Sequence, residues 1–276
     1  MLSFSMQHQE FEPPEELRDA IKCFWYNRRE FGEKQSSFEV QPDGYAEIIF
    51  HFGNALEICS DGSSQLLPSP FMMGLLNQPV LFYTKGRLEI ISIRCFPWTV
   101  FDLLGLPSGK GSLRTFKHPI AEFQSILNKS VQAGRIDQAI TQVAQYFLSA
   151  HAQIAIDSML FKAGGDQGNK WQHAGQPDRI CRAYNDPYAG RKFRQSSGHT
   201  VKDVASLMRF EQARNQLWLY PDSGIARLAH ELGYADQSHL SREFKRYSGT
   251  TPAVFARKAK STKQTVSSDF VAFIQA

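Results

Sequence analysis

Between Gln237 and Ser248 the polar and basic side chains recur at helical spacing. At 100° per residue Ser238, Arg242 and Lys245 share one face, His239, Ser241 and Arg246 flank it, and Leu240, Phe244 and Tyr247 lie opposite. An arginine on such a face can donate twice to a guanine edge in a major groove, and serine or histidine can make single hydrogen bonds to bases. Lys245 and Arg246 come later along the helix, where phosphate contact is expected, as it is for Ser241. An apolar back with a basic front also suits an ordinary solvated helical hairpin, so the neighbouring segments decide between the two.

Those segments have the form of a helix-turn-helix. Ile225, Leu228, Ala229 and Leu232 make one apolar stripe of a short helix, and Gly233 follows where a left-handed residue is wanted. Asp236 suits the N-cap of the second helix, Gly249 stops it, and Thr251-Pro252 opens a third with a cap and a first-turn proline. A duplication strengthens the reading. At an offset of 51 residues, Arg191, Phe193, Ser197, Gly198 and Thr200 match Arg242, Phe244, Ser248, Gly249 and Thr251, and Arg194 matches Lys245 in charge. Between the copies Val201 to Leu219 predicts one long helix, with Val204, Leu207, Met208, Ala213 and Leu217 inward. Two recognition helices on one rigid rod would enter successive major grooves, ~34 Å apart.

The run from Ile225 to Pro252 resembles the long C-terminal signature of the AraC/XylS family of transcription regulators, and Arg209 to Arg214 resembles its connecting helix; the likeness is firm over about 190–258. The resemblance implies two helix-turn-helix units per chain on double-stranded promoter DNA, and most members are activators. By motif position it puts Gln237, Ser238, His239 and Arg242 towards bases in the second unit, with Arg191 and Arg194 in the matching places of the first; Lys192 is expected at phosphate. The first unit departs from the pattern. Pairing Ile180 with Leu228 sets Asn185 opposite Gly233, so almost a turn is missing before Phe193, Pro187 stands in the gap, and Gly190 weakens the helix by ~1 kcal/mol. A distorted, weakly folded or inactive first unit is the expectation.

The other half has a different texture. Short apolar runs (Ala46–Phe52, Leu56–Cys59, Val80–Tyr83, Leu88–Cys95) alternate with turns such as Asp43-Gly44 and Lys85-Gly86, which predicts an antiparallel barrel or sandwich. Helices are expected over 13–26, 98–104 and 120–160, and a Gly-rich linker over 163–179. Pro13 to Leu17, Phe24-Trp25, Pro42 to Phe50, Ile93 to Pro97 and Leu103 to Pro107 resemble the N-terminal domain of one AraC-type subgroup, which implies a small cupin-like sensor or dimerisation module. The fold expected is therefore α+β: a mainly antiparallel β domain over 1–118, a helical connector and linker over 119–179, an all-α DNA-binding domain with two helix-turn-helix units over 180–260, and a tail over 261–276.

Charge follows the same division. Residues 1–159 carry 13 Lys/Arg and 17 Asp/Glu, whereas 160–276 carry 18 and 10, so a chain of net charge +4 concentrates its positive charge where DNA would lie. No run approaches a membrane span, Met1 to Glu10 has no signal-peptide pattern, and Cys23, Cys59, Cys95 and Cys181 form no CxxC pair, all of which suits a cytoplasmic protein without a zinc site. A metal cupin would need clustered ligands, and His51 stands alone in a strand pattern. Asp43 and Glu47 could pair for acid/base work, but Asp43 beside Gly44 reads more simply as a turn residue. No enzyme, cofactor or metal is expected. The partners expected are promoter DNA, RNA polymerase, a small-molecule effector on the β half, and a second copy of the chain. Two alternatives remain: a cupin-like enzyme with accessory helices, and an adaptor whose decayed first unit has lost DNA.

Overall fold

The computed structural model describes residues 6–60, 63–97, 100, 105, 113–153 and 187–265. Among the described residues ten strands form the N-terminal half: β1 (Met6–Phe11), β2 (Ile21–Glu30), β3 (Ser36–Val40), β4 (Ala46–Gly53), β5 (Glu57–Ser60), β6 (Ser63–Leu66), β7 (Phe71–Met73), β8 (Val80–Thr84), β9 (Arg87–Cys95) and β10 (Leu113–Arg114). They make two antiparallel sheets, one in the order β1-β2-β9-β4-β7-β10 and the other β3-β8-β5-β6.

Alternation along the central strands divides the apolar residues between two cores. Cys23, Trp25, Ile49, Phe71 and Ile90 join Phe38, Leu56 and Phe82 between the sheets. Phe24, Tyr26, Ile48, Phe50, Ile91 and Ile93 face the other way, onto helices α1 (Phe123–Gln132) and α2 (Ile136–Gln153). The helices expected to connect the halves thus share a core with the β domain, through Leu127, Ile140, Val143 and Phe147.

Double-sided burial also explains a correction. The helix expected over 13–26 is a short 3-10 turn at Glu15–Leu17 followed by β2. Ile21 and Cys23 to Tyr26 form a nearly continuous apolar run because both faces of β2 are covered, and such a run has neither strand nor helix period. The helix expected at Trp98–Leu104, the linker at 163–179 and the Ile180–Asn185 segment lie outside the described residues, apart from Val100.

The C-terminal half is helical: α3 (Pro187–Ser197), α4 (Val201–Leu219), α5 (Ile225–Glu231), α6 (Gln237–Ser248) and α7 (Pro252–Thr265). The last helix takes in the first five residues, 261–265, of the expected tail. The expected inward set of α4 is buried, and Phe210 joins it to make one core with Phe193, Leu228, Leu240, Phe244 and Tyr247. Burial of this stripe, rather than helix propensity, holds helices as short as α5 in place.

Candidate nucleic-acid interface

The second unit is built as its sequence predicts. Gly224 precedes α5, Gly233 turns the chain with φ 72°, and Asp236 caps α6 by accepting from the His239 amide at 2.6 Å. Leu240 and Phe244 are completely buried and Tyr247 nearly so, which fixes the rotation of α6 about its own axis. Gln237, Ser238, Arg242, Lys245 and Arg246 are consequently exposed, and Ser241 is half-buried beside them. The guanidinium of Arg246 rests 5.3 Å from the Tyr247 ring centroid, at the end of the helix. His239 is held differently. Its ring meets Tyr234 edge-on at 5.3 Å and its Nε2 lies 3.9 Å from Glu243, so part of the imidazole turns towards the turn it follows.

Glu243 is a residue the sequence reading missed. It sits on α6 among the basic residues, yet its carboxylate points back into the domain. Tyr234 Oη donates to it at 3.0 Å and Ser206 Oγ of α4 donates at 3.1 Å, with Arg209 Nη2 4.0 Å away. Arg209 also lies over the Tyr234 ring at 5.2 Å. Burial, then the charge and hydrogen bond of Glu243, hold the Tyr234 phenol well above its ordinary pKa, so it stays a donor. The turn, the recognition helix and the connecting helix are thereby fastened by one carboxylate. Its spacing from Tyr234 and Ser206 gives no periodic signal, so only the packed structure brings the three together.

The first unit is described from α3 onward. Pro187 is the first residue of that helix, where a missing N–H costs nothing, rather than an interruption in a gap. Gly190 lies inside α3 and the helix still forms, because Phe193, 2% exposed, anchors it on α4. Arg191 and Arg194 are exposed; the Lys192 side chain lies outside the described set. The duplication extends to hydrogen bonds. Ser197 Oγ donates to the Phe193 and His199 carbonyls at 2.7 and 3.1 Å, and Ser248 Oγ donates to those of Phe244 and Thr250 at 2.8 and 3.0 Å. Gly198 and Gly249 then close their helices at φ 76° and 72°, a conformation in which a Cβ is strained. Thr200 next caps α4 through a reciprocal capping box with Asp203.

Residues 183–258 match a family model described as a helix-turn-helix domain, and 9–112 match one described as a domain of unknown function, DUF6597. The uncharacterized transcriptional regulatory protein YesN of Bacillus subtilis is 27% identical over 131 residues, covering 46% of this chain. These matches support the AraC-type character read in residues 225–252. The chain spans about a third of the YesN relative, 36% of that length. Among solved structures, ToxT from Vibrio cholerae covers 92% of this chain and 98% of its own, at 12% identity and a TM-score of 0.38. The AraC-like transcriptional activator CuxR covers 95% and 82%, at 9% identity and a TM-score of 0.34. At such scores the superpositions carry no inference. The chain thus joins a helix-turn-helix domain over 183–258 to antiparallel β sheets in its N-terminal half.

Two further observations bear on other chemistries. Among the described residues no group of three or more His, Cys, Asp or Glu is arranged to hold a metal ion, and no helix is long and apolar enough to cross a membrane. His51 Nε2 lies 3.3 Å from the carbonyls of Leu67 and Pro68, and burial holds its pKa below the ordinary value. Asp43 is the turn residue its neighbours suggest, accepting from the Tyr45 amide at 2.9 Å. It also accepts from Arg94 Nη2 at 2.7 Å, a pairing with no sequence signal.

Proposed function

We propose that this protein is a cytoplasmic, sequence-specific activator of transcription that works without catalysis, reading promoter DNA with α6 in one major groove and α3 in the next. The observation that supports it best is the rotation of α6: buried Leu240 and Phe244 leave Arg242 outward, in the middle of the helix, with Gln237 and Ser238 at its N-terminal end. Arg242 would donate to guanine O6 and N7, and Gln237, Ser238 and His239 would take neighbouring base edges. Ser241, Lys245 and Arg246 would lie on phosphates. Arg191 and Arg194 would face bases from the first unit, with Lys192 on the backbone.

The β half, on this reading, senses a small molecule and pairs two copies of the chain, and the bound regulator touches RNA polymerase. In vitro selection of DNA fragments by the full chain tests the core of the proposal. Two half-sites about one helical turn, ~10 bp, apart are expected. A single half-site would remove the first unit from the reading, and no enriched motif would overturn sequence-specific binding altogether.

A further inference from the structure

On the face of the six-stranded sheet that meets the smaller sheet, Glu47 of β4 and Ser92 and Arg94 of β9 continue rows whose neighbours, Ile49 and Ile90, are apolar core. This polar stretch leads to the junction of the two halves. Arg94 Nη2 pairs with Asp43 at 2.7 Å and with Glu211, midway along α4, at 3.1 Å. Its guanidinium lies 4.5 Å from the Tyr45 ring centroid. The Gly44 amide also donates to the Glu211 carboxylate. Further along the same helix Arg214, 1% exposed, donates to the Pro42 carbonyl at 3.2 Å. One arginine of β9 and the loop before β4 thus hold the helix that carries both helix-turn-helix units.

The charges at this junction do not balance. Among the described residues Asp43, Glu47 and Glu211 set three largely buried carboxylates against the two guanidiniums of Arg94 and Arg214. Arginine keeps its proton in proteins, and a buried charge without a counter-charge is strongly unfavourable. One proton on a carboxylate removes the excess, and Glu47 is placed to take it. Asp43 and Glu211 both lie within direct reach of Arg94 Nη2, whereas Glu47 Oε1 is 3.9 Å from Arg94 Nη1. The other groups facing Glu47 bring no positive charge: Ser92 Oγ of β9 donates at 3.0 Å, the Trp25 indole of β2 turns its N–H side to the carboxylate, and burial keeps the Cys23 and Cys95 thiols protonated. Glu10 of β1 and Lys22 of β2 stand outside the sealed cluster, Glu10 held ionised mainly by its hydrogen bond with His8. Burial pushes the Glu47 pKa up to about 7 against the opposing charge of Arg94, and burial raises that of Glu211 as well.

We propose that Glu47, Arg94 and Glu211 form a proton-dependent clamp between the β half and α4. With Glu47 protonated, Arg94 is shared by Asp43 and Glu211 and the clamp is shut. With Glu47 ionised, its carboxylate competes for the guanidinium and repels Asp43, and the pairing with Glu211 loosens. Glu47 is a positioning residue, acting on α4 through Arg94. The sign follows from where the proton binds. The shut junction holds it more tightly than an opened, hydrated one, so opening is favoured as pH rises from the ordinary carboxylate range to about 7 and no further above that. The consequence for DNA rests on the regulator reading given above. The arrangement described, with Arg191, Arg194 and Arg242 exposed, is the shut one, so a loosened rod must be reordered on binding and affinity falls.

Titration of the full chain by NMR, following side-chain carboxyl carbons and the amides of α4, tests the clamp without DNA. One carboxyl resonance, assigned by its loss in Glu47→Gln, is expected to titrate with a midpoint of about 7. The amides around Glu211 should shift with the same midpoint in the wild type and lose that step in Glu47→Gln. Glu211→Gln frees Arg94 for Glu47, so the Glu47 midpoint should fall by at least about one pH unit, a tenfold change in proton affinity. Should Glu47→Gln fail to melt as a folded protein, the wild-type titration and Glu211→Gln decide the matter. Glu47 titrating in the ordinary carboxylate range, α4 amides that ignore its titration, or a midpoint unmoved by Glu211→Gln would each overturn the clamp. DNA is a separate arm: between about pH 5 and pH 7, affinity for the selected fragment should fall at least about threefold more in the wild type than in Glu47→Gln. Equal pH dependence in the two, with the expected NMR titration, would uphold the clamp and overturn its bearing on DNA. Absence of DNA binding at every pH would count against the regulator reading, and the NMR arm would still decide the clamp.

Discussion

The two recognition helices share a back and differ in front. Phe193 and Phe244 are buried in one core, Ser197 and Ser248 make the same pair of carbonyl hydrogen bonds, and Gly198 and Gly249 end their helices alike. At the N-terminal end the copies part. The position of exposed Ser238 in α6 is taken by Pro187 in α3, and that of completely buried Leu240 by Ala189. The place of Glu243, which ties α6 to Tyr234 and Ser206, is taken by Lys192. The scaffold needs the back half of each helix to seat on α4, whereas the N-terminal end is free to diverge. The second copy keeps exposed polar side chains and an internal fastening, and the first keeps positive charge.

Breaking the shared back should have the largest effect. Phe244→Ala removes a ring packed against Phe210 at 5.0 Å and Phe255 at 5.4 Å, and should destabilise the helical half by ~3–5 kcal/mol in urea denaturation. A loss below ~1 kcal/mol would mean that α6 is not seated as described. Phe193→Ala should cost less, because Ala189 stands where α6 adds a second anchor, and equal losses would erase that distinction.

Next comes the front. Arg242→Ala should weaken binding by ~1–3 kcal/mol at the preferred sequence and relax choice at one base pair, read by repeating the selection with the variant. A uniform loss on all sequences would move Arg242 to the phosphates. Arg191→Ala is the sharper comparison: if the first unit contributes mainly charge, its loss should be uniform where that of Arg242 is not.

Smaller effects test the fastening and the charge. Ser197→Ala and Ser248→Ala should each cost ~1 kcal/mol in thermal melts, and nearly the same amount, since their partners match. Asp236→Ala should cost ~0.5–2 kcal/mol by removing the cap of α6. Lys245→Ala should leave base preference unchanged and lower the slope of log affinity against log salt by about 1; an altered motif would put Lys245 among the base-readers.

Much of the helical half was legible because its signals are local. Asp236, Gly249 and Thr251-Pro252 mark helix ends within a few residues, and the stripes on α4 and α6 have one buried side each. Ile21 to Tyr26 was misread because two cores compete for one strand. Pro187 was misread as a breaker because the helix it opens is recognised only once Phe193 is seen to be anchored. The partners of Glu47, Glu243 and Arg94 were out of reach for another reason: they pair across distances of up to 117 residues, and nothing in a carboxylate's neighbours announces which distant arginine it will meet.

Gly44 stands where the loop before β4 presses on α4. A methyl group at that position would lie 2.6 Å from Met208 Cγ, and the neighbouring Arg214 is sealed under Pro42. Leu75 and Phe96 of the β half are members of the helical half's own core. Excising residues 187–265 to obtain a minimal DNA-binding fragment would thus strip a lid from the connecting rod, leaving an arginine and an apolar strip facing water. Such a fragment should be less soluble and melt earlier than the intact chain, so affinities measured on it would describe a different object.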